Sequence, residues 1–280
     1  HRQGAPGLTD IAHPRSTAVA ARAAFWAMLL RDARVLRKNL KEFIPRTVLQ
    51  PFLLVFVFTY VFPKIGQSVG GSGASAADFS TVLVAGVVAL AVFFQGIQSV
   101  ALPLVTEFGV TREIEDRALA PLPVSLIAIE KITAGALQGL FSALLVFPIA
   151  AVVPATPVHL QVDWLLLVTL VPLACIAGAS LGLTFGTTFE PRTVPVMFGV
   201  ILVPLTFLGC VYYSWAALEP VRWLQLAVLV NPLVYMSEGF RAALTDSPHM
   251  SLWAVYPALT GFTVVLVLLG IKGFKARVLS

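Results

Sequence analysis

Gly178-Ala179-Ser180-Leu181-Gly182 matches the G-x-S-x-G pattern in which a serine serves as a nucleophile. That chemistry needs a sharp strand-to-helix turn to expose the hydroxyl and a histidine to take its proton. Here the five residues lie in the middle of an uncharged run that reads as a helical span, while His159 and His249 are expected in outer loops. Glycines at i, i+4 suit a different task, the close approach of two helix backbones. Cys175 and Cys210 also lie inside apolar runs and read as small buried hydrophobes, with no disulfide framework. The sequence holds neither H-E-x-x-H nor a cysteine and histidine cluster, so metal catalysis has no support in it. It holds no G-x-x-x-x-G-K-S/T phosphate loop, so an ATPase that drives it is a separate polypeptide.

The other chemistry-bearing residues are amides and aromatics inside the runs and charges between them. Gln95, Gln98 and Ser99 stand at i, i+3, i+4 and share one helical face. An unpaired amide in hydrocarbon is costly, so the stripe either hydrogen-bonds a neighbouring helix or lines a pathway. Together with Phe93, Phe94, Phe207 and Tyr212 it makes an uncharged set that suits a large amphipathic substrate; the alternative for these aromatics is plain packing. Between the second and third runs the chain reads E-F-G-V-T-R-E-I-E-D-R, from Glu107 to Arg117. Thr111 is placed to cap a short helix whose first turn carries Glu113 and Glu115, where acids oppose the helix dipole favourably, and Arg112, Asp116 and Arg117 complete its charge. A charged helix on an apolar body is a surface for docking a soluble partner, since a mere connection needs no helical signals.

These groups must be held by helices that cross a membrane. Hydrophobic residues make up 58% of the 280 and charged residues 12%, half the roughly 25% of a soluble domain. The apolar residues gather into six charge-free runs, 47–63, 79–106, 132–162, 164–189, 193–218 and 252–271, and crossing a bilayer takes about 20 such residues. The predicted fold class is all-α integral membrane with six transmembrane helices, leaving no room for a separate soluble catalytic domain. With no acid or base deep in any run, ion-coupled transport is disfavoured and the energy source falls outside the chain.

Sixteen of the 19 lysines and arginines lie before the first run, in the second and fourth loops or in the tail; Lys64, Arg222 and Arg241 are the others. By the positive-inside rule both termini are cytoplasmic, in an inner (plasma) membrane protein. Charge spread along membrane edges argues against nucleic acid as a partner. No signal peptide is expected, because the N-terminal segment lacks an apolar core before a small-residue cleavage site. Residues 1–16 read as a flexible tail. Residues 17–44 read as a basic amphipathic helix on the inner surface, the alternative being a solvated helix with no partner, set off by Pro45 from a transmembrane domain over 45–280. After the fifth run, 223–230 and 232–244 are apolar pieces each too short to cross, divided by Asn231 and Pro232, a helix cap followed by proline at the first helical position. A re-entrant pair of outer helices over 221–245 is expected, either as a gate with Glu238 and Arg241 pairing at i, i+3, or as a plain surface pair.

The amphipathic N-terminal helix, six runs, an inner loop ending in Ala120-Pro121-Leu122-Pro123-Val124-Ser125, and Asn231-Pro232-Leu233-Val234-Tyr235-Met236-Ser237-Glu238-Gly239-Phe240-Arg241 together resemble the type-2 ABC exporter permeases, which include daunorubicin-resistance-like, polysaccharide and nodulation-factor exporters. The resemblance spans about residues 20–280. It implies a permease, itself no enzyme, that forms a dimer with a second permease chain and works with two copies of an ABC ATPase. ATP and magnesium would be bound by that partner, and this chain would carry no cofactor. It further implies that 106–121 is the coupling loop, with Glu107, Thr111, Arg112, Glu113, Glu115, Asp116 and Arg117 meeting the ATPase. Phe93, Phe94, Gln95, Gln98, Phe207 and Tyr212, on the second and fifth spans, would wall the pathway. Asn231, Pro232, Tyr235, Glu238 and Arg241 would form the extracellular gate. The expected activity is export of a drug, lipid or lipid-linked glycan among membrane lipids; the alternative is an intramembrane enzyme or scaffold without an ATPase.

Overall fold

The computed structural model describes residues 17–67, 74–111, 122–155 and 158–279, nearly all of them helical. Helix α1, Thr17–Lys38, is built from alanine, leucine and arginine, all strong helix formers, and its last turn carries Arg37 and Lys38 where cations favour the dipole. The chain turns at Asn39, and α2, Leu40–Lys64, begins there. The amphipathic segment therefore ends at Lys38, and Pro45, expected to divide it from the first span, lies inside α2 together with Pro51. Membrane helices tolerate proline when local widening re-satisfies the freed carbonyls; α2 widens into π-helical turns over Phe56–Val61.

Helix α3, Ala74–Thr106, continues in π-helical turns over Glu107–Thr111. Then come α4, Val124–Val152, and α5, Trp164–Thr188, whose first turn is capped by Asp163 Oδ1 accepting from the amides of Leu165 and Leu166 at 3.0 and 3.2 Å. Helix α6, Val194–Phe207, is followed by the short α7, Arg222–Ala227, by α8, Pro232–Leu244, and by α9, Leu252–Val278.

Five of these, α2, α3, α4, α5 and α9, are long and apolar enough to cross a membrane. The fifth run departs from expectation. Its helix α6 is about 21 Å long, short of the roughly 30 Å hydrocarbon core. The chain leaves the helix after Phe207, passes through Cys210 with φ +54° and re-forms as a 3₁₀ segment over Trp215–Val221.

The bundle is organised around α3. Within its most apolar stretch 89% of residues are buried inside the protein, against 22% for α2 and 28% for α9. Helix α5 meets α3 through glycines. A Cβ on Gly96 would lie 2.8 Å from the Ala179 amide nitrogen, and one on Gly182 would lie 2.7 Å from the Ile97 carbonyl oxygen. The sequence G-A-S-L-G is thus a packing seam. Helix α1 rests Ala21, Ala24 and Met28 on a smaller apolar cluster with Ile127 and Phe274, and leaves Trp26 and Leu30 exposed. Residues 160–163 run antiparallel to the end of α8: the amides of Gln161 and Asp163 donate to the carbonyls of Leu244 and Ala243 at 2.9 and 2.8 Å.

Candidate functional site

Polar chemistry collects at the two ends of α3. At the end nearer α1, Glu107 closes an ion pair with Lys131 of α4, its Oε2 2.7 Å and its Oε1 2.9 Å from Nζ. Both side chains are nearly buried, so each charge depends on the other to offset lost hydration. Lys131 and the fully buried Glu130 lie within α4, which begins at Val124; the third span is thus not free of charge near its start, as the run from Ile132 suggested. Of the residues expected to form the coupling helix, Glu107 is in this pair and Thr111 ends the π-helical turns of α3. Arg112, Glu113, Glu115, Asp116 and Arg117 lie outside the described residues.

Beside this ion pair is a cavity of about 430 Å³ between the α1–α2 elbow, α3 and α4. Three basic side chains, Arg31, Arg46 and Lys131, and three acidic ones, Asp32, Glu42 and Glu107, line it. Arg46 also lines a crevice of about 30 Å³ with Thr47, Gln50, Phe94, Gln95 and Gln98. In that crevice the Thr47 hydroxyl donates to Gln95 Oε1 at 3.2 Å, tying α2 to α3 as the plain hydrogen-bonding alternative requires, while Gln95 Nε2 is buried without a partner. Ser99 turns its hydroxyl to the Gly96 carbonyl of its own helix at 3.0 Å.

The six residues expected to wall a pathway do not form one surface. Phe94, Gln95 and Gln98 share the crevice, but Phe93 is 1% exposed in the apolar core. Phe207 is 60% exposed at the end of α6 and stacks on Tyr212 with centroids 5.9 Å apart; Tyr212 in turn leans on Phe58 of α2 at 6.1 Å. Because α3 is the centre of the bundle, apolar surface is offered by the helices around it, α2 and α6 among them. Val196, Val200, Val203 and Phe207 make a single exposed stripe on α6.

At the other end of α3 sits the segment expected as a gate. Its second helix, α8, is about 20 Å long, and every residue from Pro232 to Leu244 is buried. Asn231 caps it by accepting from the Leu233 amide at 3.0 Å and donates through Nδ2 to the Leu205 carbonyl within α6 at 2.7 Å. Tyr235 donates to the Leu229 carbonyl at 2.9 Å. The piece before the break is not one helix: α7 ends at Ala227 and Val228–Val230 is a 3₁₀ turn. Glu238 and Arg241 pair at 2.5 Å, both essentially without solvent contact. Glu238 Oε1 also accepts from the Trp215 amide at 2.8 Å, and Oε2 from the Met250 amide at 2.6 Å. Arg241 donates through its second terminal nitrogen to the Cys210 carbonyl at 2.9 Å.

That arrangement explains how the break in the fifth run is tolerated. Ending a helix inside an apolar body orphans backbone groups that have no water to turn to. The ion pair supplies what the missing helical turns would have: a cation for the Cys210 carbonyl and a carboxylate for the Trp215 amide. The i, i+3 spacing made the pair legible in sequence. Its backbone partners carry no sequence signal, because any residue type has an amide and a carbonyl.

The enzymatic reading of Ser180 finds no machinery around it: the hydroxyl is buried within α5 and donates to the Ile176 carbonyl at 2.6 Å. Among the described residues no group of histidine, cysteine and acidic side chains is placed to hold a metal ion. Comparison with known proteins gives the fold a context. "Inner membrane transport permease YadH" of Escherichia coli K12 is 29% identical over 231 residues, 80% of this chain and 85% of that protein. The proteins of the same description from Escherichia coli O157:H7 and Shigella flexneri match to the same extent. The ABC-2 type transporter family matches residues 23–245, from α1 to the end of α8, and to that family this multi-pass membrane permease belongs.

Proposed function

We propose that this chain is the membrane subunit of an ATP-driven exporter that moves a hydrophobic or amphipathic substrate, a drug, lipid or lipid-linked glycan, out of the cytoplasm or the inner leaflet. The observation that carries the reading is membership of the ABC-2 family across both polar ends of the bundle, in a chain whose own sequence has no phosphate loop. Two copies of a separate ATPase, binding ATP and magnesium, would dock at 106–121. The exposed valine and phenylalanine stripe of α6 supports a dimer with a second permease, with Phe207 and Tyr212 near the shared pathway. Both termini are cytoplasmic in this reading. The α1 face carrying Trp26 and Leu30 lies in the inner interface, and α6 makes the fifth crossing together with the segment after it.

Copurification from the native host is the first test. Tagged chain should bring down an ATPase, and proteoliposomes of the complex should move substrate only with ATP. Reversing the charges of Glu113, Glu115 and Asp116 together should abolish that transport and leave insertion intact. A chain that never recruits an ATPase would be a scaffold or enzyme. Topology has its own test: a cysteine at Ser247 should react with an impermeant thiol reagent outside intact cells and one at Ser280 should not. Labelling of Ser280 from outside would make α7 and α8 a further crossing and end the re-entrant reading, which the Asn231 bond to Leu205 within α6 supports.

A further inference from the structure

Arg46 is the one residue shared by three adjoining recesses: the charged cavity, the amide crevice and an apolar groove of about 510 Å³ along α2. Among the described residues its guanidinium has no hydrogen bond or ion pair. Above it the groove is lined by Leu49, Leu53, Leu54, Val57 and Phe58, one face of α2. Leu49 and Leu53 are 58% and 47% exposed. From Arg46 to Phe58 the helix rises about 18 Å, slightly more than half of the roughly 30 Å hydrocarbon core. That is the depth the tails of one leaflet fill.

We propose that this continuous recess binds one zwitterionic phospholipid, with its headgroup in the charged cavity, its phosphate on Arg46 and its acyl chains along the α2 groove. The charge inventory selects the headgroup. Glu107 and Lys131 satisfy each other, and Arg31 and Arg46 then share the cavity with Asp32 and Glu42, two cations balanced by two anions. A guanidinium matches phosphate oxygens through paired donors, and the two carboxylates suit an ammonium group carried on the same headgroup. An inorganic anion would use Arg46 and leave the groove empty; a neutral lipid would fill the groove and leave Arg46 bare. The site names a substrate class for the exporter proposed above and rests on that reading only for the direction of movement.

The test needs neither ATP nor the ATPase, so loss of the exporter reading and loss of this site are separate results. Purified chain in detergent is incubated with dioleoyl phosphatidylethanolamine, with dioleoylglycerol or with inorganic phosphate, and native mass spectrometry counts what each protein retains. Wild type should retain about one phosphatidylethanolamine and neither of the others. Arg46→Ala should weaken retention about tenfold and Arg46→Lys less, with the gel-filtration profile unchanged because the side chain is exposed. Arg34→Ala, an exposed arginine of α1 lining none of the three recesses, should behave as wild type. Undiminished retention in Arg46→Ala, an equal loss in Arg34→Ala, equal retention of dioleoylglycerol or phosphate, or a second copy of the chain occupying the groove would each overturn the proposal.

Discussion

Replacing Arg241 with methionine should give a chain that unfolds far more readily than wild type and exposes a thiol that is otherwise shielded. The change removes the donor to the Cys210 carbonyl and leaves Glu238 as an uncompensated charge at 0% exposure. Breaking a buried pair by removing one partner typically costs roughly 3–5 kcal/mol. Glu238→Gln should cost a similar amount, since it strands the guanidinium and weakens the acceptors for Trp215 and Met250. The double variant should cost less than the sum, because no buried charge remains and the glutamine oxygen still accepts one of the amides. Thermal unfolding in detergent gives the energies. Maleimide labelling gives the location: Cys210, buried in wild type, should react in Arg241→Met while Cys175, in the α5 core, stays protected. Wild-type melting together with a protected Cys210 would mean that the pair does not hold the break in the fifth run.

The second large effect is expected at the glycine seam. Gly182→Leu and Gly96→Val each drive a side chain into backbone of the facing helix, where the nearest atoms already stand within 2.7 to 2.9 Å of where a Cβ would sit. Overpacking typically costs about 1–3 kcal/mol, and here the obstructing atoms are backbone that cannot rotate away, so the result falls at or beyond the upper end. Separating α3 from α5 dismantles the centre of the bundle, and the yield of monodisperse protein should collapse. Gly261→Leu supplies the control: nothing lies within 4 Å of a Cβ there, and the substitution should be neutral or mildly stabilising, in line with the roughly 1 kcal/mol that glycine costs a helix. Equal melting temperatures across the three variants would show that close backbone approach is not what holds α3 to α5.

Sequence alone determined the parts of this protein that depend on local composition. Charge-free runs near the length of a bilayer crossing, a basic amphipathic helix ahead of them, glycines at i, i+4 and a cap at Asn231-Pro232 are each written within a few residues, because hydrophobic length, helical periodicity and capping act over a turn or two. Family resemblance was legible for the same reason, in the contiguous segment from Asn231 to Arg241. Only the tertiary structure decided that the second run is the buried axis of the bundle, since a helix that is apolar on every side is equally suited to lipid and to protein neighbours. It also decided that the fifth run stops at Phe207. Gly209, just past the cap at Leu208, is a weak local stop signal, but the groups that stabilise the break, the carboxylate of Glu238 and the guanidinium of Arg241, arrive from a helix more than twenty residues further along. The meeting of Glu107 with Lys131, and of three recesses at Arg46, has the same origin: long-range contacts depend on how helices cross, and crossing is set by which faces fit rather than by any one segment.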